Sequence, residues 1–152
     1  MPAYSFESLL KELGEKLGLP NLESTRENNI TLTLKGKNEV VLQKHNTEPL
    51  IIISFEIAEL PASRYRENIF REALKFNGLN QLHAGVFAFS KKTQKFFLFD
   101  MLPLNDTSVE QVQQVINTLA EKAALWRESI NRGEIPTLTS SSQARSGGGI
   151  LG

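Results

Sequence analysis

Side chains able to do chemistry are sparse in this chain. His45 and His83 are its two imidazoles, and neither has a second His, a Cys or an acid at the spacing a metal ligand set needs. There is no cysteine, which excludes thiolate nucleophiles, disulfides and cysteine zinc sites. Glu56 and Glu59 can be drawn as a carboxylate pair, but no base or ligand stands near them in the sequence, and surface acids are the commoner reading of that spacing. Lys91, Lys92 and Lys95 gather at a turn able to meet a phosphate, although lysines at a hairpin tip are usually just solvated. Gly147 to Gly149 is no phosphate loop, because no strand precedes it and no helix follows. Asp100 alone looks misplaced, an acid among aromatics. Burying it unpaired is costly, so its carboxylate is expected to reach water or a basic partner. No nucleophile with its base is found either, so neither an enzyme nor a cofactor or metal site is expected.

The elements that would carry any site must therefore be read for binding. At 152 residues and 40% hydrophobic content the chain suffices for one domain with a proper core. Seventeen basic residues balance seventeen acidic ones, so no net field draws nucleic acid or anionic lipid. No apolar run approaches the roughly 18 residues of a membrane span, and the start, MPAYSFESLL, lacks the features of a secretory signal. A soluble, cytoplasmic protein with no nucleic-acid or membrane partner is the expectation.

Phe6, Leu9, Leu10, Leu13 and Leu17 recur at helical spacing, with Gly18 and Pro20 as the stop signal. Residues 21–29 are polar and turn-rich. Ile30, Leu32 and Leu34 then alternate with polar residues as a half-buried strand does, and a turn containing Gly36 leads to a returning strand over 39–44. Pro49 opens a third strand over 50–57, with Ile51, Ile53, Phe55 and Ile57 on its core face. The even face starts apolar and turns polar, and its apolar end calls for a lid, for which the first helix is available. Ser63 is a candidate N-cap for a second helix that ends at Asn77-Gly78. Both Thr107 with Glu110 and Ser108 with Gln111 fit a capping box opening a long third helix, which runs past Trp126 to near Gly133.

Between those two helices lies the run GVFAFSKKTQKFFLFDMLPL, residues 85–104, two apolar segments around one polar break. A sheet with one wet face shows apolar residues at every second position, whereas here they stand at nearly every one. Both faces of this hairpin are expected to be covered, and a second subunit is the simplest additional cover. The order is α-β-β-β-α-β-β-α: an α+β fold with a twisted, largely antiparallel five-stranded sheet and three helices. Residues 1–133 read as one domain and 134–152 as a flexible, disordered tail with too little apolar surface to fold.

The opening FESLLKELGEKLGL, the helix RYRENIFREALKFNGL, the hairpin HAGVFAFSKKTQKFFLFDMLPL and the closing helix with its late Trp126 together resemble a known pattern. Over about residues 4–131 the chain is similar to the class I chaperones of type III secretion systems, the CesT or Tir-chaperone family. That resemblance implies a cytoplasmic homodimer binding the N-terminal segment of secreted effectors, which wraps the dimer in extended form, adds a strand to a sheet edge and drops apolar side chains into grooves. It implies a client groove at Phe6, Leu9, Leu10, Leu13, Ile30, Leu32 and Leu34, and a dimer contact at Phe70, Leu74, Val86, Phe87, Phe89 and Phe97. The chain departs from the family's habitual acidity in having zero net charge. Two alternatives are an adaptor or regulatory dimer that binds a folded partner or a secretion-apparatus component, and a small-ligand domain or hydrolase, which requires a pocket with converging polar groups.

Overall fold

The computed structural model describes residues 5–19, 28–34, 38–79 and 83–136. The Pro20 stop, the polar stretch 21–27, the Gly36 turn and the tail from 137 onward lie outside the described residues. The elements are α1 (Phe6–Leu17), β1 (Asn29–Thr33), β2 (Glu39–Lys44), β3 (Leu50–Glu59), α2 (Arg64–Asn77), β4 (Val86–Ser90), β5 (Lys95–Pro103) and α3 (Val109–Asn131). The sheet order is β1-β2-β3-β5-β4 and every pairing is antiparallel. α2 and the segment after it span the connection between β3 and β4, which are not neighbours in the sheet.

Local chemistry fixes the helix ends. Ser5 and Ser8 cap α1 reciprocally, each side chain bonding the other's backbone N–H (3.1 and 3.2 Å), and Gly18 closes it at φ 72°, a conformation glycine adopts without strain. Ser63 accepts from the Arg66 N–H to open α2. Of the two capping boxes legible ahead of α3, the one used is Ser108 with Gln111. Thr107, the other candidate, is buried instead.

All three helices lie on one side of the sheet. Phe87, Phe89 and Phe96 on β4 and β5 meet Phe70 and Phe76 of α2 and Trp126 of α3, with ring centroids 4.2–6.2 Å apart. α1 runs beside α3, and Lys16 reaches Glu110 at 2.7 Å. The core contains Leu9, Leu10 and Leu13 of α1, Ile51, Ile53 and Phe55 of β3, Leu98 of β5, and Ile116 and Leu119 of α3. Gly85 stands at the entry to β4 with φ 90°, and a Cβ there would sit 2.7 Å from Leu119 Cδ2 and 2.8 Å from Leu98 Cδ1. Only glycine meets both demands.

Two expectations are corrected. α1 shares the helical side with α3, so it is no lid for the even face of β3, where Leu50 and Ile52 remain half-buried. The packed chain also runs past 133: the Tyr65 hydroxyl donates to the Glu134 carbonyl at 2.6 Å, and Pro136 is buried.

Candidate protein-binding surfaces

Two of the groups with chemical potential, His45 and Asp100, hold backbone. His45 Nδ1 accepts from the N–H groups of Thr47 and Glu48 (3.2 and 3.1 Å), which organises the turn before β3. Asp100, on the helical side of β5 opposite Ile53, accepts the Met101 N–H at 2.8 Å, beyond the start of β4. Its other oxygen lies 3.9 Å from His83 Nδ1, so the misplaced acid does have a basic neighbour. Among the described residues no three His, Cys, Asp or Glu gather as metal ligands, and no helix is long and apolar enough to cross a membrane. A shallow groove between the start of α1 and the turn before β3, touching Phe6, Lys44, Thr47, Pro49 and Leu104, brings no catalytic constellation together.

What the fold leaves open is a sheet face and a sheet edge. Strand alternation puts Phe97, Phe99 and Met101 of β5 on the side away from the helices, and register sets Ala88 opposite Phe97, Val86 opposite Phe99, and Ile52 opposite Met101. No helix among the described residues packs on this face. Val86 is 43% and Met101 42% exposed, Ala88 is exposed, and Phe97, Phe99 and Ile52 are half-buried. The hairpin is therefore apolar on both faces, yet the described residues cover only one. Single exposed apolar residues are ordinary on a protein surface, but a contiguous apolar patch marks an interaction site. Leu74, on the outer side of α2, is 69% exposed.

The edge belongs to β1. Asn28 accepts from Lys44 N–H (2.9 Å) and Leu34 N–H donates to Asn38 (2.6 Å), so the even-numbered residues of this strand face β2. By the alternation of an antiparallel ladder, the N–H and C=O groups of Asn29, Thr31 and Thr33 point outward. No described residue takes them. An extended peptide pairs with such a row without any demand on its side chains.

The residues read as a client groove are distributed differently from that expectation. Phe6, Leu9, Leu10, Leu13 and Leu32 are at most 3% exposed and belong to the molecule's own core, so they present no side-chain surface; Ile30 and Leu34, beside the open edge, are half-buried. In the set read as a dimer contact, Leu74, Val86 and Phe97 are accessible, whereas Phe87 (5% exposed) stacks on Phe96 at 5.2 Å and meets Trp126 at 4.2 Å. Phe70 and Phe89 are half-buried against each other at 4.8 Å. That set spans the two faces of the hairpin: Phe87 and Phe89 share one face of β4 while Val86 and Ala88 share the other, and strand parity adds Phe99 and Met101 to the outer face.

An antiparallel sheet with helices on one face and, among the described residues, a bare apolar patch on the other and an unpaired edge defines a protein-binding α+β domain. The chain belongs to the Tir chaperone protein (CesT) family, whose model matches residues 8–127. No curated protein matches it by sequence. Among solved structures it is similar to one from the ExsC–ExsE complex, with 22% identity and a TM-score of 0.67 over 80% of this chain and 90% of that one. A chain of the HopA1–SchA chaperone–effector complex matches at 15% identity and TM-score 0.67, over 81% and 93%. The Yersinia pestis type III secretion chaperone SycH, in complex with a fragment of YscM2, matches at 23% and 0.61, over 80% and 98%. At these identities the structural likeness speaks for the fold.

Proposed function

We propose that the protein is a non-enzymatic, cytoplasmic chaperone of type III secretion that holds the N-terminal segment of an effector in extended, export-competent form. The domain, with its packed chain running on to Pro136, acts in this reading as one unit, and two copies form a homodimer through the bare faces of their hairpins. Family membership supports the chaperone role, and the likeness to chains of chaperone–effector complexes supports an effector as partner. The observation that carries the mechanism is the open β1 edge, with the outward groups of Asn29, Thr31 and Thr33. Strand addition there supplies affinity through backbone pairing, and Ile30 and Leu34 beside it offer apolar contact to alternate guest side chains. Binding needs no cofactor, and the zero net charge offers nothing to nucleic acid.

Thr31→Pro tests this. The substitution removes an N–H that faces away from β2, so the β1–β2 ladder keeps its bonds, and an edge strand is where proline is tolerated. Co-purification from the native cell should then lose the client by about tenfold or more, with dimer size and urea midpoint essentially kept. Capture at the wild-type level would remove the β1 edge from the mechanism.

A further inference from the structure

The sheet has a second edge, β4, and it is not equivalent to the first. The side-chain amide of Asn77, in the last turn of α2, bonds both backbone groups of Phe87: Oδ1 accepts its N–H at 2.8 Å and Nδ2 donates to its C=O at 3.0 Å. Val86, Ala88 and Ser90 turn their backbone groups toward β5, so Phe87 and Phe89 are the β4 residues that face outward. Asn77 fills the middle of that short edge as a residue of a neighbouring strand would. It leaves the outward groups of Phe89, too few to seat a strand. Packing reinforces the closure, since Phe76, next to Asn77, meets the Phe87 ring edge-on at 5.3 Å, and Phe70 meets Phe89.

We infer that Asn77 closes the β4 edge, so that this sheet accepts an added strand at β1 alone and two copies cannot join through their β4 edges. Asparagine is a poor helix former, and helix-stop chemistry alone does not require its amide to be aimed at a strand. A protein that carries extended, unfolded chain has particular need of such a closure, because each uncovered edge is a template for pairing with guest or with itself. The consequence for a guest rests on the reading of β1 as the client edge. The closure of β4 does not.

The test uses the full chain without a client, so that its failure is separate from any failure of client capture. In Asn77→Ala the Phe87 amide should exchange with solvent about tenfold faster than in wild type, the factor one lost hydrogen bond corresponds to. Light scattering should show assemblies that grow with protein concentration, through paired β4 edges. Asn77→Asp keeps the acceptor for the Phe87 N–H but offers no donor to its C=O, and should fall between on both measures. It also reads both quantities if the alanine variant does not fold. A folded Asn77 variant whose Phe87 amide stays slow overturns the inference. So does one in which all core amides exchange faster together while the assembly size stays fixed, because Asn77 is then only a tie between α2 and β4.

Discussion

At the scale of single residues, the polar side chains of this protein satisfy backbone groups that the sheet ladder leaves over. Arg127 does most. The register between β3 and β5 shifts between Glu56 and Ala58, a bulge that removes carbonyls from regular pairing. Arg127 donates to the Glu56 and Ile57 carbonyls (2.7 and 3.3 Å) and to Asn38 Oδ1 (2.8 Å), so one guanidinium ties α3 to the bulge and to the start of β2. Arg127→Ala should cost about 2 kcal/mol in urea denaturation, since charge-assisted bonds to partly buried carbonyls are lost together. Arg127→Lys should recover less than half of that, because an ammonium cannot reproduce the planar fork. None of this was legible from the sequence, where Arg127 is one cation on a long helix and the bulge has no signature. Tyr65 adds a pH dependence. Burial, and secondarily the nearby Glu134 carboxylate, raise its pKa above the ordinary tyrosine value. A raised folded pKa means full stability below about pH 10 and loss as pH climbs through the folded value. Ionisation also removes the hydroxyl that donates to the Glu134 carbonyl. Between pH 8 and about pH 11 the urea midpoint should therefore fall less in Tyr65→Phe than in wild type.

At the scale of elements, the hairpin of β4 and β5 has two faces with different obligations. Phe87 and Phe96 face the helices and are stacked nearly parallel, 5° apart in plane, with Trp126 against both. Phe97 and Phe99 face away from all three helices. A charge placed on each face therefore has a different effect. Phe87→Asp should abolish folding, because an unpaired carboxylate in that aromatic cluster costs more than a small domain has to spare. Phe99→Asp should leave a folded monomer with native far-ultraviolet circular dichroism but half the wild-type mass by light scattering. A Phe99→Asp protein that stays dimeric would remove the hairpin face from the interface. The strands and helices themselves were legible because each carries a local signal: alternation over 30–34, the Ser63 cap, and the Ser108–Gln111 box. Even the doubly apolar character of the hairpin was plain. Burial of the α1 leucines was not, because a leucine stripe looks the same whether it rests on its own core or awaits a guest. Leu10 is fully buried by tertiary packing that no local pattern encodes.

At the scale of the whole molecule, the arrangement is a sheet covered once. Three helices share one side, one edge is closed by α2, and what remains among the described residues is an apolar face and an open strand, two surfaces with different physical demands. The face is non-directional and gains stability from any complementary apolar surface, so a second copy of the same patch satisfies it through a twofold contact. The edge demands an extended backbone. A homodimer uses up the first and leaves two copies of the second free, which lets folding and client capture proceed on separate surfaces. Linkage then follows from mass action: association stabilises the folded chain, so its urea midpoint should rise with protein concentration, by about 1.4 kcal/mol in apparent stability for each tenfold increase per dimer. In Phe99→Asp the midpoint should be lower and independent of concentration. In Thr31→Pro it should retain the wild-type slope, since the proposed dimer pairs through the hairpin faces and not through the β1 edge. A wild-type midpoint that does not move over a hundredfold range of concentration would mean that the bare face is stable in water as it stands.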